Sequence, residues 1–264
     1  MKKEIIIAFI ILALFALTFT GSATAFNTAY SHMSYPLSNA VTNDGKWTST
    51  TEWTDGLPTN FGVNAAFRDK YAVVSSDSGF AVNQYIMIET WDNTNNAGDY
   101  AQVCIDGDGL SGSAPQTDDY MINITGHTTA TWFKGTGSGW ATTAAPASFA
   151  WSNSSSSSPT TSANHYVYEI NFDKMEIGAG IEPGMRIAVN DAAVGGYGLQ
   201  VWPPATTADV PSAWGDIPYS ADPIPESLNL GLIVALTSVA VIAGSVIFQK
   251  RSKIVKFANK TTVA

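Results

Sequence analysis

Along most of this chain the apolar residues recur at every second position, in short runs set apart by Gly, Ser, Asn and Asp. That is the period of strands with one buried face. Eight runs carry it: 71–74, 84–90, 100–105, 120–125, 129–134, 165–172, 185–190 and 198–202. Between residues 26 and 221 no amphipathic segment of helical period and useful length interrupts them. The pattern predicts an all-β domain, an antiparallel β-sandwich of two sheets with immunoglobulin-like architecture. Ser152 to Thr161 is almost all Ser, Thr, Asn and Pro, and is expected to be a flexible loop.

Sorting each run by parity gives its faces. In 85–91, Ile86, Ile88 and Thr90 share one face, and Tyr85, Met87, Glu89 and Trp91 the other. The same sorting places Gln102, Asn123, Glu169, Arg186, Asn190, Gln200 and Trp202 on the polar faces of their strands. Were those strands neighbours, one sheet would present a field of hydrogen-bonding groups with Trp91 and Trp202 among them. Sugars bind such surfaces, because aromatic faces stack on C–H bonds while amides and carboxylates take hydroxyl groups. The candidate ligand residues are therefore Trp91, Trp202, Gln102, Asn123, Glu169 and Arg186. A solvated sheet face is the alternative reading of the same pattern.

The runs at 100–105 and 120–125 enclose a loop of Gly, Ser and Asp. It brings Asp106, Asp108, Asp118 and Asp119 to one sheet edge with no Lys or Arg nearby in sequence. Four hard oxygen donors of this kind suit calcium, although the spacing is not that of an EF-hand. A solvated acidic loop is the alternative. Asp44-Gly45 reads as a tight turn that feeds Trp47, and then Trp53, into the core. Asn123 and Asn153 both match the N-glycosylation sequon, Asn153 being the expected acceptor because it falls in the serine loop.

Both ends of the chain depart from the alternating pattern. Residues 1–25 carry Lys2 and Lys3, an apolar run over 5–17 and the small-x-small ending Ala23-Thr24-Ala25, as in a cleaved secretory signal. Residues 228–248 hold no charge and are long enough to cross a hydrocarbon core of about 30 Å as a helix. A proline spacer, 222–227, precedes that run, and a tail, 249–264, with Lys250, Arg251, Lys253, Lys256 and Lys260 follows it. The expected topology is a single-pass cell-membrane protein with its sandwich outside and its C-terminus in the cytoplasm.

Of 13 Lys and Arg, two lie in the signal and five in the tail, whereas only Glu4 of 22 Asp and Glu lies outside 26–249. The exported part therefore carries six basic and 21 acidic residues, a net of −15. Such a surface repels nucleic acid and suits cations, neutral glycans or a salty exterior. Cys104 is the only cysteine, which excludes an intramolecular disulfide, and its place in a strand reads as a buried small hydrophobe.

Several of these segments together resemble the family 9 carbohydrate-binding modules and their DOMON-like relatives. The matching pieces are the Ile-Asp strand end, the acidic glycine-rich loop and Asp118-Asp119-Tyr120; the Asp44-Gly45 turn and Trp47; Glu169-Ile170, Pro183-Gly184 and Ile187-Ala188-Val189-Asn190-Asp191; then Leu199 to Trp202 and Trp214-Gly215-Asp216-Ile217. The resemblance implies a sugar-binding sandwich, often with bound calcium. Sugar-binding members carry a Trp a few residues before an Asp-x-x-Glu; here Asn95-Asn96-Ala97-Gly98 precede Asp99, and Gln102 stands where the Glu would be. The Arg expected after the Asp-Asp-Tyr turn is also absent. The Pro-Glu step at 225–226 with the apolar run and basic tail resembles the C-terminal anchors of archaeal surface proteins.

No nucleophile elbow, histidine metal cluster or phosphate loop is present in the sequence, so a non-enzyme is expected. The leading expectation is a cell-surface module that holds polysaccharide or envelope glycan near the membrane. A structural envelope protein using the sandwich as a spacer or protein-contact module is the alternative. Some DOMON-like relatives hold haem between Met and His; the corresponding third reading would use Met87 or Met121 with His127 or His165.

Overall fold

The computed structural model describes residues 27–76, 79–109, 112–180 and 183–220. The expected signal, proline spacer, membrane span and basic tail lie outside the described residues. Among the described residues no helix is long and apolar enough to cross a membrane. The strands are β1 (Asn27–Ser31), β2 (Tyr35–Pro36), β3 (Thr59–Phe61), β4 (Ala65–Ser76), β5 (Gly79–Thr90), β6 (Tyr100–Asp106), β7 (Asp119–Thr125), β8 (Thr129–Gly135), β9 (Trp140–Thr143), β10 (Ala150–Ser156), β11 (His165–Asp173), β12 (Gly184–Asp191), β13 (Gly198–Trp202) and β14 (Gly215–Asp216).

They form a sandwich. One sheet runs β1-β14-β12-β6-β7-β8-β9 with β13 also on β12, and the other runs β10-β11-β5-β4-β2 with β3 on β4. The expected all-antiparallel pairing holds through the centre of each sheet, but β1 with β14 and β2 with β4 are parallel. Both exceptions come from residues 27–36, which pass from the edge of one sheet to the edge of the other.

Most of the period-two runs bury a face as their pattern predicts, although Val73 and Val74 of the 71–74 run are exposed. Val103, Ile105, Ile122, Ile124, Ile187 and Val189 from the first sheet meet Phe67, Ile86, Ile88, Tyr168, Ile170 and Phe172 from the second. Trp202 joins them. Its register opposite Ile187 puts it on the inner face, only 5% exposed, with its ring 5.0 Å from that of Phe67. This corrects its expected place on a polar face. Gln200 misled the parity: it shares that inner face, buried, where its Oε1 accepts from the backbone N–H groups of Val63 and Asn64. Leu199, more than half exposed, lies on the outside instead.

The serine tract is a second correction. Residues up to Ser156 form β10, an edge strand paired along its length with β11. Asn153 therefore sits in a strand, and its Nδ2 donates to the carbonyl of His127 at 2.9 Å. Small hydroxyl side chains lack the bulk that marks a strand by pattern, but an edge strand needs only its backbone ladder and one packed face.

Each sheet also has a covered outer face. Over the second sheet lies the segment 37–58, where Trp53 is fully buried with Met87 and Val167, and Trp47 packs beside them. Two buried acids hold that cover in shape. Glu52 accepts from the N–H groups of Thr42 and Thr48, while Asp55 accepts from those of Ser38 and Asn39 and pairs with Lys70 at 2.7 Å. Trp47 and Trp53 are thus structural, as their turn predicted. On the first sheet Cys104, Met121 and Trp214 form a smaller cluster with Phe133, Trp140 and Ala208. Burial pushes the Cys104 thiol up to about 12, which leaves it inert.

Candidate functional site

Two connections meet at one end of the sandwich: the β5–β6 loop after Thr90 and the β12–β13 loop after Asp191. Between them lies a pocket of about 310 Å³, lined by residues 91–94 of the first and by 191 and 193–197 of the second. Asp191 shapes its own loop, with Oδ1 accepting from Ala193 N at 3.0 Å and Oδ2 from Tyr197 N at 2.8 Å. The loop closes so tightly on this carboxylate that a Cβ at residue 196 would meet Asp191 Oδ1 at 2.3 Å, which requires Gly196.

On the facing loop Asp92 is 4% exposed. Its Oδ1 accepts both from Thr94 N and from Thr94 Oγ1 at 2.7 Å, and its Oδ2 accepts no hydrogen bond among the described residues. Trp91 and Tyr197 supply the aromatic surface, Tyr197 being about half exposed. Among the described residues, no Lys, Arg or His lines the pocket.

Trp91 is held by what lies against it. Its ring stacks on that of His165, with centroids 5.7 Å apart and planes 12° from parallel. His165 Nδ1 faces the Ala163 carbonyl at 2.9 Å and Nε2 faces Glu89 Oε1 at 3.1 Å, so both nitrogens meet acceptors, an arrangement that suits the protonated ring. Ser158 and Thr160 hydroxyls donate to the two oxygens of the same carboxylate. Burial opposes both charges. The pair and its hydroxyl donors nonetheless hold Glu89 below, and His165 above, their ordinary values.

Beside the pocket is a buried set: Asp92, Asp99 and His127 have potential ligand atoms within 4.8 Å of one another. His127 Nε2 faces Asp99 Oδ2 at 3.2 Å and Nδ1 faces the Tyr168 hydroxyl. Burial, with Asp92 and Asp99 nearby, pushes the Tyr168 hydroxyl far above its usual range. His127 has a backbone φ of 56° and stacks on Tyr166 at 3.6 Å. Sequence reasoning gave no part in a site to Asp92, Asp99, Asp191 or Tyr197. Only the pairing of distant loops brings them together, and no local pattern signals that.

Of the six sequence-nominated ligand residues, Trp91 alone lines the pocket. Gln102, Asn123 and Arg186 lie on the outer face of the first sheet, with Gln102 directly opposite Asn123. Arg186 is 4% exposed, donates through Nη1 to Gln102 Oε1 and lies against the Thr206 carbonyl, so these two satisfy each other beneath a loop. Asn123 is half-buried.

Glu169 is on the other sheet, under the Trp53 cover and 1% exposed. It accepts from Trp53 Nε1 at 2.8 Å and from the N–H groups of Asp44 and Gly45; burial pushes it up to about 7 against these donors. The expected single field of polar groups is thus divided between two opposite faces. Parity assigns a residue to a face of its strand, but not to a sheet, nor to what covers it.

The acidic loop does converge. Carboxylate oxygens of Asp106, Asp108 and Asp118 lie within 4.8 Å of one another, an all-oxygen donor set that fits a hard cation. Asp119 stands in register opposite Asp106, buried, with Oδ2 on the Gln116 N–H at 2.6 Å. Burial, and then the neighbouring Asp106, Asp118 and Asp108, raise it to about 7.

The groups considered for haem do not fit it. Met87 and Met121 belong to clusters on the outer faces of opposite sheets, and both ring nitrogens of His127 and of His165 are engaged.

No protein-family model and no curated protein matches this chain. Among solved structures it is similar to a carbohydrate binding module family 9 from Caldicellulosiruptor kristjanssonii in complex with cellotriose. That likeness has 14% sequence identity and a TM-score of 0.48, over 75% of this chain and 97% of that one.

Proposed function

We propose that the sandwich is a non-catalytic carbohydrate-binding module whose glycan site is the Trp91 pocket. The observation that carries this reading is the combination in one concavity of two aromatic rings, Trp91 and Tyr197, with the polar groups of Asp92, Asn93 and Thr94. Rings take the C–H faces of a sugar and the polar groups take its hydroxyls. At about 310 Å³ the space is near the lower end for small-ligand sites and suits one or two sugar units.

In this reading Asp106, Asp108 and Asp118, with Asp119 behind them, hold a calcium ion that pins the β6–β7 loop. The signal directs the module out of the cell, and the span and basic tail tether it to the membrane with the sandwich outside, where it holds polysaccharide or envelope glycan.

A glycan array probed with the full chain tests the site: binding that falls in Trp91→Ala supports it. Added calcium should raise the melting temperature, and Asp108→Asn should abolish that gain; equal melting with calcium and with chelator removes the ion from the account. Protease digestion of intact cells that spares only the C-terminal tail supports the topology.

A structural envelope role is the second reading, favoured by the burial of Trp202 and Glu169 and by covers over both outer sheet faces. Failure of every glycan to bind would move the reading there.

A further inference from the structure

We infer that the Trp91 pocket selects a glycan bearing a protonated amine, an amino sugar whose nitrogen is not acylated, over neutral and acidic sugars. The inference rests on the glycan reading of this pocket and specifies its ligand. Two carboxylates, Asp92 and Asp191, lie in the lining and no Lys, Arg or His accompanies them there. Among the described residues, the basic group in contact with a lining side chain, His165 against Trp91, is paired with Glu89.

Asp92 gives the selectivity a direction. It is 4% exposed, its Oδ1 is locked by Thr94, and its Oδ2 has no hydrogen bond among the described residues. That oxygen is free for a ligand, and a ligand N–H that carries positive charge makes a charge-assisted hydrogen bond there where a neutral hydroxyl makes an ordinary one. Asp191 contributes differently: both its oxygens already hold backbone N–H groups, so it adds negative potential without claiming a ligand atom.

A divalent ion would meet one uncommitted carboxylate oxygen, Asp92 Oδ2, because the neighbouring Asp99 and His127 are engaged with each other and His127 with Tyr168. An ammonium needs only that oxygen and the faces of aromatic rings, which Trp91 and Tyr197 provide. Uronic acids and sulfated sugars would face two carboxylates on a part of the chain carrying −15 overall.

The test is calorimetric titration of the full chain, at about pH 6 so that the amine is protonated, with four probes: a glucosamine trimer, its fully N-acetylated counterpart, a glucose trimer and a glucuronic acid oligomer. The glucosamine trimer should bind about tenfold tighter than the acetylated and glucose trimers, the worth of one charge-assisted hydrogen bond. The uronic oligomer should bind weakest. In Asp92→Asn the preference for the amine should fall towards one.

Acetylation changes only the ligand, so that comparison holds even if the variant folds poorly. Equal or tighter binding of the neutral trimers overturns the inference and leaves the glycan reading standing. A preference for the amine that persists undiminished in folded Asp92→Asn also overturns it, because the attraction then belongs to the acidic surface at large. No binding by any probe to folded protein removes the glycan reading, and this inference with it.

Discussion

Trp53 and Trp91 each have a buried carboxylate close by, and the domain treats them in opposite ways. Trp53 is fully buried, and its Nε1 donates to Glu169, whose other oxygen takes two backbone N–H groups. Trp91 stays partly exposed at a pocket, with His165 stacked on it and with Asp92 keeping one oxygen without a donor. At Trp53 the ring N–H and both oxygens of the neighbouring carboxylate are answered within the chain, and the result is stability. Around Trp91 the scaffold is satisfied beneath the ring but not beside it. An aromatic ring near a carboxylate therefore does not by itself mark a ligand site.

The largest test of that contrast is Trp53→Ala, which removes a fully buried ring and leaves Glu169 short of a donor. Urea unfolding should show a loss of about 3–5 kcal/mol. A loss below about 1 kcal/mol would mean that the 37–58 cover contributes little, and the contrast would fail.

Next is the support under the open site. Glu89→Gln should cost about 3 kcal/mol by leaving the His165 charge buried without its partner, and the cost should depend on pH. Glu89 sits below its ordinary 4.5, so its contribution is present above that value and is lost as pH falls through the lowered one. His165 sits above its ordinary 6.5, so its contribution is complete below that value and is lost as pH rises through the raised one. The gap between wild type and variant should be widest between pH 4.5 and 6.5 and narrow on either side. A gap flat from pH 3 to 9 would break the assignment of an ion pair.

Trp91→Ala should reverse the balance seen at Trp53, with a stability loss of about 1 kcal/mol but at least about tenfold weaker glycan binding. Equal damage to folding at the two tryptophans would erase the distinction between them. The smallest effect is expected from Val194→Lys at the fully exposed lip of the pocket. Stability should stay within about 0.5 kcal/mol, while the added cation should weaken capture of a glucosamine trimer.

The eight strands predicted from period-two runs all exist, and in most of them alternation records which residues meet the core, although Val73 and Val74 of the 71–74 run are exposed. β2, β3 and β14 are too short to show a period, and the serines of β10 hide theirs. The burial of Trp47 and Trp53 was legible in the Asp44-Gly45 turn that precedes them, and that of Cys104 in its strand. Asp106, Asp108 and Asp118 could be grouped from sequence because two paired strands hold the ends of one loop.

The pocket could not be read in that way. Trp91 meets Tyr197 around it only because β6 lies beside β12, so that the loop before β6 and the loop after β12 emerge at the same end. Glu169, Gln102 and Arg186 looked like surface groups by parity, yet each was closed over by a segment distant in sequence. Alternation is a local property that the sequence by itself determined. Strand order, cover and the choice of which acceptor stays open arise from contacts between residues far apart in the chain, and only the tertiary structure decided them.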